Sequence, residues 1–177
     1  MEIRGTTIIG VKKDGQIAIA GDGQVTMGQS TILKGSAHKV RRIYDGKVIV
    51  GFAGGTADAF TLCEKFEGML NKYSGSLLRS AVELAKLWRT DMAIKNLEAL
   101  MIVADKENMY IVTGVGDVVE PDDGVCAIGS GGNYALSAGK ALIRNTDLTA
   151  KQIALKSMEI ASEICVFTND HFIVEEA

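Results

Sequence analysis

The residue types best suited to nucleophilic chemistry lie near the start of the chain, where Gly5 and Thr6 follow a short charged leader. A threonine hydroxyl is a poor nucleophile until a base takes its proton. A chain beginning at Thr6 would supply that base as its own α-amine, which titrates near ~7.7–8. A preceding glycine allows the tight turn that brings the hydroxyl onto the preceding carbonyl. Because Gly-Thr-Thr is also a common way to begin a β-strand, both interpretations stay open from these residues alone.

Two charged residues could support such a nucleophile. Asp22 follows an apolar run and lies between two glycines, where a carboxylate can hold a nearby ammonium in its charged form. The alternative for Asp22 is a simple Asp-Gly turn. Lys39, with Lys34 nearby, could lower the pKa of an adjacent amine by repulsion between like charges. Otherwise Lys39 belongs to a solvated basic loop.

Two glycine-rich stretches, GFAGGTAD (51–58) and AIGSGGNY (127–134), each join a predicted strand to a predicted helix. Backbone N–H groups at such a junction can donate to an oxyanion or to a phosphate. Ser130, in the second stretch, could instead hydrogen-bond a neighbouring catalytic group, and a close-packed turn is the plain alternative for both. Neither stretch contains GxxxxGK[ST], GxGxxG or a G-x-S-x-G elbow, which disfavours nucleotide binding and a serine-hydrolase triad.

Composition excludes several other classes of function. The formal charge of −3 mixes both signs, which argues against nucleic acid or a membrane surface as the main partner. The two histidines have no metal-type spacing, which argues against zinc chemistry. Three cysteines without a CxxC motif indicate a reduced, cytosolic chain, and no apolar run approaches the ~20 residues of a membrane span.

The elements that must position these residues follow from periodicity. Pairs of helices separated by β-rich segments predict a layered α+β domain, with sheets stacked inside and helices outside. An Asp14-Gly15 hairpin joins the first two strands, and a capping box of Thr149 and Gln152 opens the last helix. The other predicted elements are strands at 46–54, 99–104, 109–113 and 125–128, helices at 56–73, 77–97 and 131–144, and one or two short strands in the final VFTNDHFIVEE.

Taken in order, eight stretches resemble the HslV (ClpQ) family, the proteasome-like peptidase subunits of bacterial HslUV proteases (peptidase family T1). They are GTTIIGV, IAGDGQVTMG, LKG with KVRR, GFAGGTADAFTL, AVELAKLWRTD, LEALMIVAD, AIGSGGNYAL and EICVFTND. The resemblance runs from Thr6 to the C-terminus. It implies the N-terminal-nucleophile hydrolase fold, a four-layer αββα sandwich. It also implies that residues 1–5 are a propeptide removed on maturation and that residues 6–177 form one peptidase domain.

The resemblance further implies a threonine-type endopeptidase and assigns a role to each site residue. Thr6 would be the mature N-terminus and nucleophile. Lys39 would tune the Thr6 amine, and Asp22 would orient Lys39. Gly54 would offer the oxyanion N–H, and Ser130 would support the amine.

Family members also bind a sodium ion through backbone carbonyls, here those of Ser162, Cys165 and Thr168. They assemble as two stacked hexameric rings in the cytoplasm. A hexameric AAA+ ATPase, HslU, binds the ATP and threads unfolded proteins into the chamber. Two rival hypotheses stay open: a catalytically dead ring subunit of the same fold, and a phosphate- or nucleotide-binding domain that uses the two glycine junctions.

Overall fold

The computed structural model describes residues 3–28 and 30–177, except for the side chains of Ile3, Arg4 and Thr56. The strands are β1 (Ile3–Arg4), β2 (Thr7–Lys13), β3 (Gln16–Gly21), β4 (Val25–Met27), β5 (Thr31–Lys34), β6 (Val40–Ile43), β7 (Val48–Ala53), β8 (Leu100–Ala104), β9 (Met109–Thr113), β10 (Val118–Val119), β11 (Val125–Gly129) and β12 (Ile173–Glu176). The helices are α1 (Thr56–Lys72), α2 (Leu77–Thr90), α3 (Gly132–Asn145) and α4 (Ala150–Ile164).

Two antiparallel sheets form the middle of the domain. One has the order β10-β9-β8-β7-β6, and the other has the order β11-β2-β3-β12. Helices α1 and α2 cover the outer face of the first sheet, and α3 and α4 cover the outer face of the second. A third, small sheet of order β1-β4-β5 lies beside them. The predicted four-layer αββα sandwich is therefore confirmed.

Burial on both faces explains why the central strands are almost wholly apolar. Side chains alternate between the two faces of a strand. In β2, Ile8 packs between the two sheets against Ile49 and Ile102, whereas Ile9 packs under α3 and α4. The sheets therefore gain hydrophobic stabilisation on both sides, and the strand ends stay fixed relative to one another.

The hairpin and the capping box were predicted correctly. Asp14 and Gly15 have φ values of +52° and +76°, the left-handed conformations that a tight two-residue turn requires. Thr149 Oγ1 accepts from Gln152 N, and Gln152 Oε1 accepts from Thr149 N. Both signals depend only on neighbouring residues, which is why sequence alone reveals them.

The predicted end of the second helix was wrong. The apolar pattern extends to residue 97, but α2 ends at Thr90. Asp91 takes an extended backbone conformation, and its side chain accepts from Ala93 N at 2.8 Å, which starts a turn instead. Within the described part of the chain, no helix is both long enough and apolar enough to cross a membrane.

Candidate active site

The carbonyl oxygen of Gly5 receives two hydrogen bonds from polar side chains. Thr6 Oγ1 donates to it at 2.6 Å, and Lys39 Nζ donates at 2.7 Å. Gly5 has φ +115°, and a Cβ there would lie 3.1 Å from both Gln24 O and Thr26 Oγ1. The left-handed backbone and the crowding explain why glycine stands before Thr6. The threonine hydroxyl and a lysine ammonium therefore meet at one peptide bond.

Lys39 lies immediately before β6 and is buried, with only 8% of its side chain exposed. Besides Gly5 O, Nζ donates to Asp22 Oδ1 at 2.9 Å and to Gln24 O. Burial lowers the pKa of Lys39 below its ordinary value, and the charge and hydrogen bond of Asp22 partly offset that effect. Lys39 is therefore held by three acceptors, and the basic-loop interpretation does not describe it.

Asp22 follows β3 and has a fully buried side chain. Its carboxylate accepts from Thr7 N at 2.8 Å and from Gln24 N at 2.9 Å, in addition to Lys39. The β2–β3 hairpin brings Asp22 beside the start of β2, where Asp22 N donates to Thr7 O. The backbone of two strands thus fixes the carboxylate that pairs with Lys39.

Ser130 and Gly54 approach the same place from other elements. Ser130 N, at the end of β11, donates to Thr6 O at 2.7 Å, while the serine residue is exposed. Gly54 follows β7 and lines a cavity with Gly5, Thr6 and Lys39. All five predicted catalytic residues therefore gather around one cavity or one hydrogen-bond network; their roles stay predictions.

The cavity beside Thr6 has a volume of about 490 Å³, and both apolar and basic side chains line it. Seven of them are apolar and four are basic. Among these, the Arg41 guanidinium lies 4.1 Å from the centre of the Phe60 ring. The apolar lining residues are Val25, Ala37, Val50, Phe52, Ala59, Phe60 and Cys63, and the basic ones besides Lys39 are Lys34, His38 and Arg41.

Ile3 and Arg4, just before the cavity-lining residue Gly5, form an added strand. β1 pairs with β4 in antiparallel register, Ile3 opposite Met27 and Arg4 opposite Thr26. The carbonyl oxygen of the next residue, Gly5, accepts hydrogen bonds from Lys39 Nζ and Thr6 Oγ1. Extended backbone can therefore pair with β4 and place a carbonyl oxygen within hydrogen-bond distance of the Thr6 hydroxyl.

The three residues predicted to bind sodium lie at and after the C-terminal end of α4. Ser162 is in the last turn, Cys165 follows the helix, and Thr168 N donates to Cys165 O at 3.0 Å. Thr168 Oγ1 lies 2.7 Å from Thr7 Oγ1, so this segment contacts the start of β2. Among the described residues, no three His, Cys, Asp or Glu side chains cluster as a metal site.

Both glycine junctions have partners within the protein that compete with a phosphate. At the start of α1, a Cβ on Gly55 would lie 3.0 Å from Asp58 Oδ2, so a carboxylate already faces that helix terminus. At the start of α3, Gly131 N donates to Thr7 Oγ1 at 2.9 Å. These contacts disfavour the phosphate-binding hypothesis.

Sequence reasoning missed two polar residues that belong to this network. Gln24, nearly buried, donates through Nε2 to Thr26 Oγ1 at 3.0 Å and to Val166 O at 2.9 Å. Asn169 contacts the residues that follow Asp22. The only signal in the sequence is the presence of amide side chains in GDGQ and FTND, a pattern that surface turns share.

Comparison with known proteins gives a consistent result over the full chain. The model of the family described as Proteasome subunit matches residues 3–177. The ATP-dependent protease subunit HslV of Listeria innocua is 60% identical over 178 residues, which covers 99% of both chains. That of Treponema denticola is 59% identical over 175 residues, which covers 99% of this chain and 98% of that protein.

Solved structures agree with the sequence matches. The crystal structure of eukaryotic HslV from Trypanosoma brucei has a TM-score of 0.92 and 47% identity, and the match covers 96% of this chain and 98% of that one. The BPH protein of Thiobacillus denitrificans, in complex with epoxomicin, has a TM-score of 0.71 and 24% identity, with 97% of each chain covered. The second similarity shows the fold alone.

Proposed function

The chain belongs to the proteasome subunit family, among the HslV protease subunits, and on that premise we propose that it is a threonine endopeptidase whose nucleophile is the Thr6 hydroxyl. One observation carries the proposal: Thr6 Oγ1 and Lys39 Nζ both donate to the carbonyl oxygen of Gly5. A hydroxyl beside a carbonyl that an ammonium polarises is arranged for acyl transfer.

In the proposed maturation, residues 1–5 leave and Thr6 becomes the N-terminus of a single domain, residues 6–177. The new α-amine then lies next to its own hydroxyl. Lys39 lowers the pKa of that amine by repulsion between like charges, which keeps more of the amine neutral near pH 7. Asp22 holds Lys39 in place, because its carboxylate is fixed by the backbone of Thr7 and Gln24.

Peptide cleavage then proceeds in two acyl-transfer steps. The Thr6 oxygen attacks the substrate carbonyl carbon while the amine takes the hydroxyl proton, and the proton passes to the leaving amine as the peptide C–N bond breaks. Water, activated by the same amine, hydrolyses the ester. Gly54 N–H donates to the tetrahedral oxyanion, a donor typically worth ~2.7–4 kcal/mol, and Ser130 supports the amine.

Sodium is the proposed bound ion, held by the carbonyls of Ser162, Cys165 and Thr168. The last carbonyls of a helix lack intrahelical donors, and the negative end of the helix dipole favours a cation. Ser162, in the last turn of α4, and Cys165, just after it, stand at such a position, so the residues fit the ion. Its positive charge would interact favourably with the partial negative charges of these carbonyl oxygens and order the segment after α4.

The working form is proposed to be two stacked hexameric rings in the cytoplasm, served by the AAA+ ATPase HslU, which binds ATP and delivers unfolded proteins. Large apolar side chains on the surface of the single chain support assembly, since they are typical of surfaces that partners cover. Met92, Val115 and Val166 are 75%, 73% and 77% exposed.

Substituting Thr6→Ala is expected to lower kcat by at least about 1000-fold, because both the attacking oxygen and its proton transfer are lost. The assay is hydrolysis of an unfolded protein, with HslU and ATP, by assemblies whose chains begin at residue 6, as checked by intact mass. Thr6→Ser, which keeps a hydroxyl beside the amine, is the matched control and is expected to retain activity. Turnover by the alanine variant would contradict the proposal.

Lys39→Ala is expected to reduce kcat/KM by about 100-fold or more, since acid–base tuning at the nucleophile is lost. Circular dichroism and assembly size should stay unchanged. Lys47→Ala, at an exposed lysine of the β6–β7 turn, is the control and should match the parent. A normal rate in the Lys39 variant would contradict a catalytic role and leave Lys39 as a structural partner of Asp22.

Gly5→Ala is expected to leave the leader attached. An alanine at φ +115° costs on the order of 1–3 kcal/mol and crowds Gln24 O. Intact mass reads out the result: the parent chain should begin at Thr6, and the variant at its original N-terminus. Gly46→Ala, at φ +76° with open space around it, is the control for an alanine at a positive φ remote from the site and should mature normally. A parent chain that keeps its leader would favour the dead-subunit hypothesis.

Replacing sodium by choline at constant ionic strength is expected to lower both kcat and Tm, because an ion that binds only the folded state stabilises it. Scanning calorimetry over a sodium titration measures the second effect without relying on activity. Identical Tm values in the two salts would contradict a sodium site at the end of α4.

A further inference from the structure

Asn169 lies in the irregular segment between α4 and β12 and does not line the cavity beside Thr6. Its side chain nevertheless makes hydrogen bonds in the network behind that cavity. Oδ1 accepts from Gly23 N at 3.0 Å and, within its own turn, from His171 N at 3.3 Å, and Nδ2 donates to Gly35 O at 2.8 Å. Because Gly23 offers an N–H and Gly35 a carbonyl, the two ends of the amide are assigned by their backbone partners.

The two glycines that Asn169 joins belong to the segments that carry the buried ion pair. Gly23 follows Asp22, and Gly35 begins the irregular stretch that ends at Lys39. These segments touch directly: Ala37 N donates to Gly23 O at 2.9 Å, and a Cβ on Gly23 would overlap Gly35 O. The amide of Asn169 therefore spans a backbone junction at which a small shift would move Asp22 relative to Lys39.

Asn169 also contacts the carboxylate itself. Its backbone N donates to Asp22 Oδ2 at 3.4 Å, on the oxygen opposite the one that accepts from Lys39. The preceding residues are anchored as well, since Val166 O accepts from Gln24 Nε2 at 2.9 Å and Thr168 Oγ1 lies 2.7 Å from Thr7 Oγ1. The segment that holds Asn169 is thus tied to the start of β2 and to the loop after β3.

We infer that Asn169 is a positioning residue for the Asp22–Lys39 pair, which it sets against the nucleophile by bridging Gly23 N and Gly35 O. It acts through the backbone and touches no substrate. This inference rests on the proposed function, because the position of Lys39 matters to turnover only if Lys39 tunes Thr6.

Two substitutions test the two hydrogen bonds of the Asn169 side chain, the one from Gly23 N and the one to Gly35 O. Asn169→Ala removes both hydrogen bonds. Asn169→Asp keeps an acceptor for Gly23 N but turns an oxygen toward Gly35 O, which replaces the second hydrogen bond by repulsion. Asp170→Asn is the matched control, because the neighbouring Asp170 side chain is 84% exposed. All variants are matured chains beginning at Thr6, checked by intact mass and assayed with HslU and ATP.

Both Asn169 variants are expected to lose kcat by up to about 100-fold, the loss that a 1 Å misplacement of a catalytic group can cause. KM should stay within about twofold, because Asn169 does not contact substrate. kcat is expressed per site titrated with a threonine-directed epoxyketone, so a variant that merely folds less completely shows a smaller titre and a normal kcat. The Asp170 variant should match the parent.

A normal kcat per titrated site in both Asn169 variants overturns the inference while the proposed function stands, provided that Thr6→Ala is inactive in the same assay. Turnover by Thr6→Ala overturns both. If Asn169→Ala does not fold, Asn169→Asp decides the question, since it keeps the Gly23 hydrogen bond: a reduced kcat with unchanged KM supports the inference, and a normal kcat refutes it.

Discussion

The ammonium of Lys39 is a charge with only 8% of its side chain exposed, and the site is organised around it. A buried charge is costly unless an opposite charge and hydrogen bonds compensate it. Asp22 supplies the charge, and the carbonyls of Gly5 and Gln24 accept the other N–H groups. These acceptors flank β2, β3 and β4, so displacement of any one of those strand ends would leave a buried donor unpaired.

The layered core supplies the rigidity that this arrangement needs. Because the two large sheets are covered on both faces, the ends of β2, β3 and β7 are held by packing far from the cavity. Thr6, Asp22 and Gly54 are all attached to those ends. Packed interiors transmit small displacements, so distant core substitutions are felt at the site as changes in geometry.

The sequence predicted those features that depend on local chemistry or on apolar periodicity. The Asp14-Gly15 hairpin and the Thr149 capping box are of this kind, and so is the order of helix pairs and strands. The meeting of Asp22 with Lys39 depends on a long-range strand arrangement, and only the family resemblance indicated it. The role of Asn169 could not be predicted from the sequence, because its amide bonds to Gly23 and Gly35, which are remote along the chain. A local pattern cannot distinguish such an amide from one in a surface turn. The end of α2 was predicted wrongly because the apolar pattern continues to residue 97, whereas the Asp91 side chain accepts from Ala93 N and ends the helix in a turn.

Ile3 and Arg4, which form β1, pair with one edge of β4, and an extended substrate could pair with that edge in their absence. As long as Ile3 and Arg4 are attached, β4 is an interior strand between β1 and β5. If residues 1–5 are removed as proposed, β4 becomes an edge strand with free backbone donors and acceptors. In the proposed maturation, the same bond cleavage would create the reactive end group and free a strand edge with which an extended chain can pair. In that proposal, an unprocessed subunit would lack both the free α-amine and the open strand edge, so its peptidase activity would begin only after the cleavage.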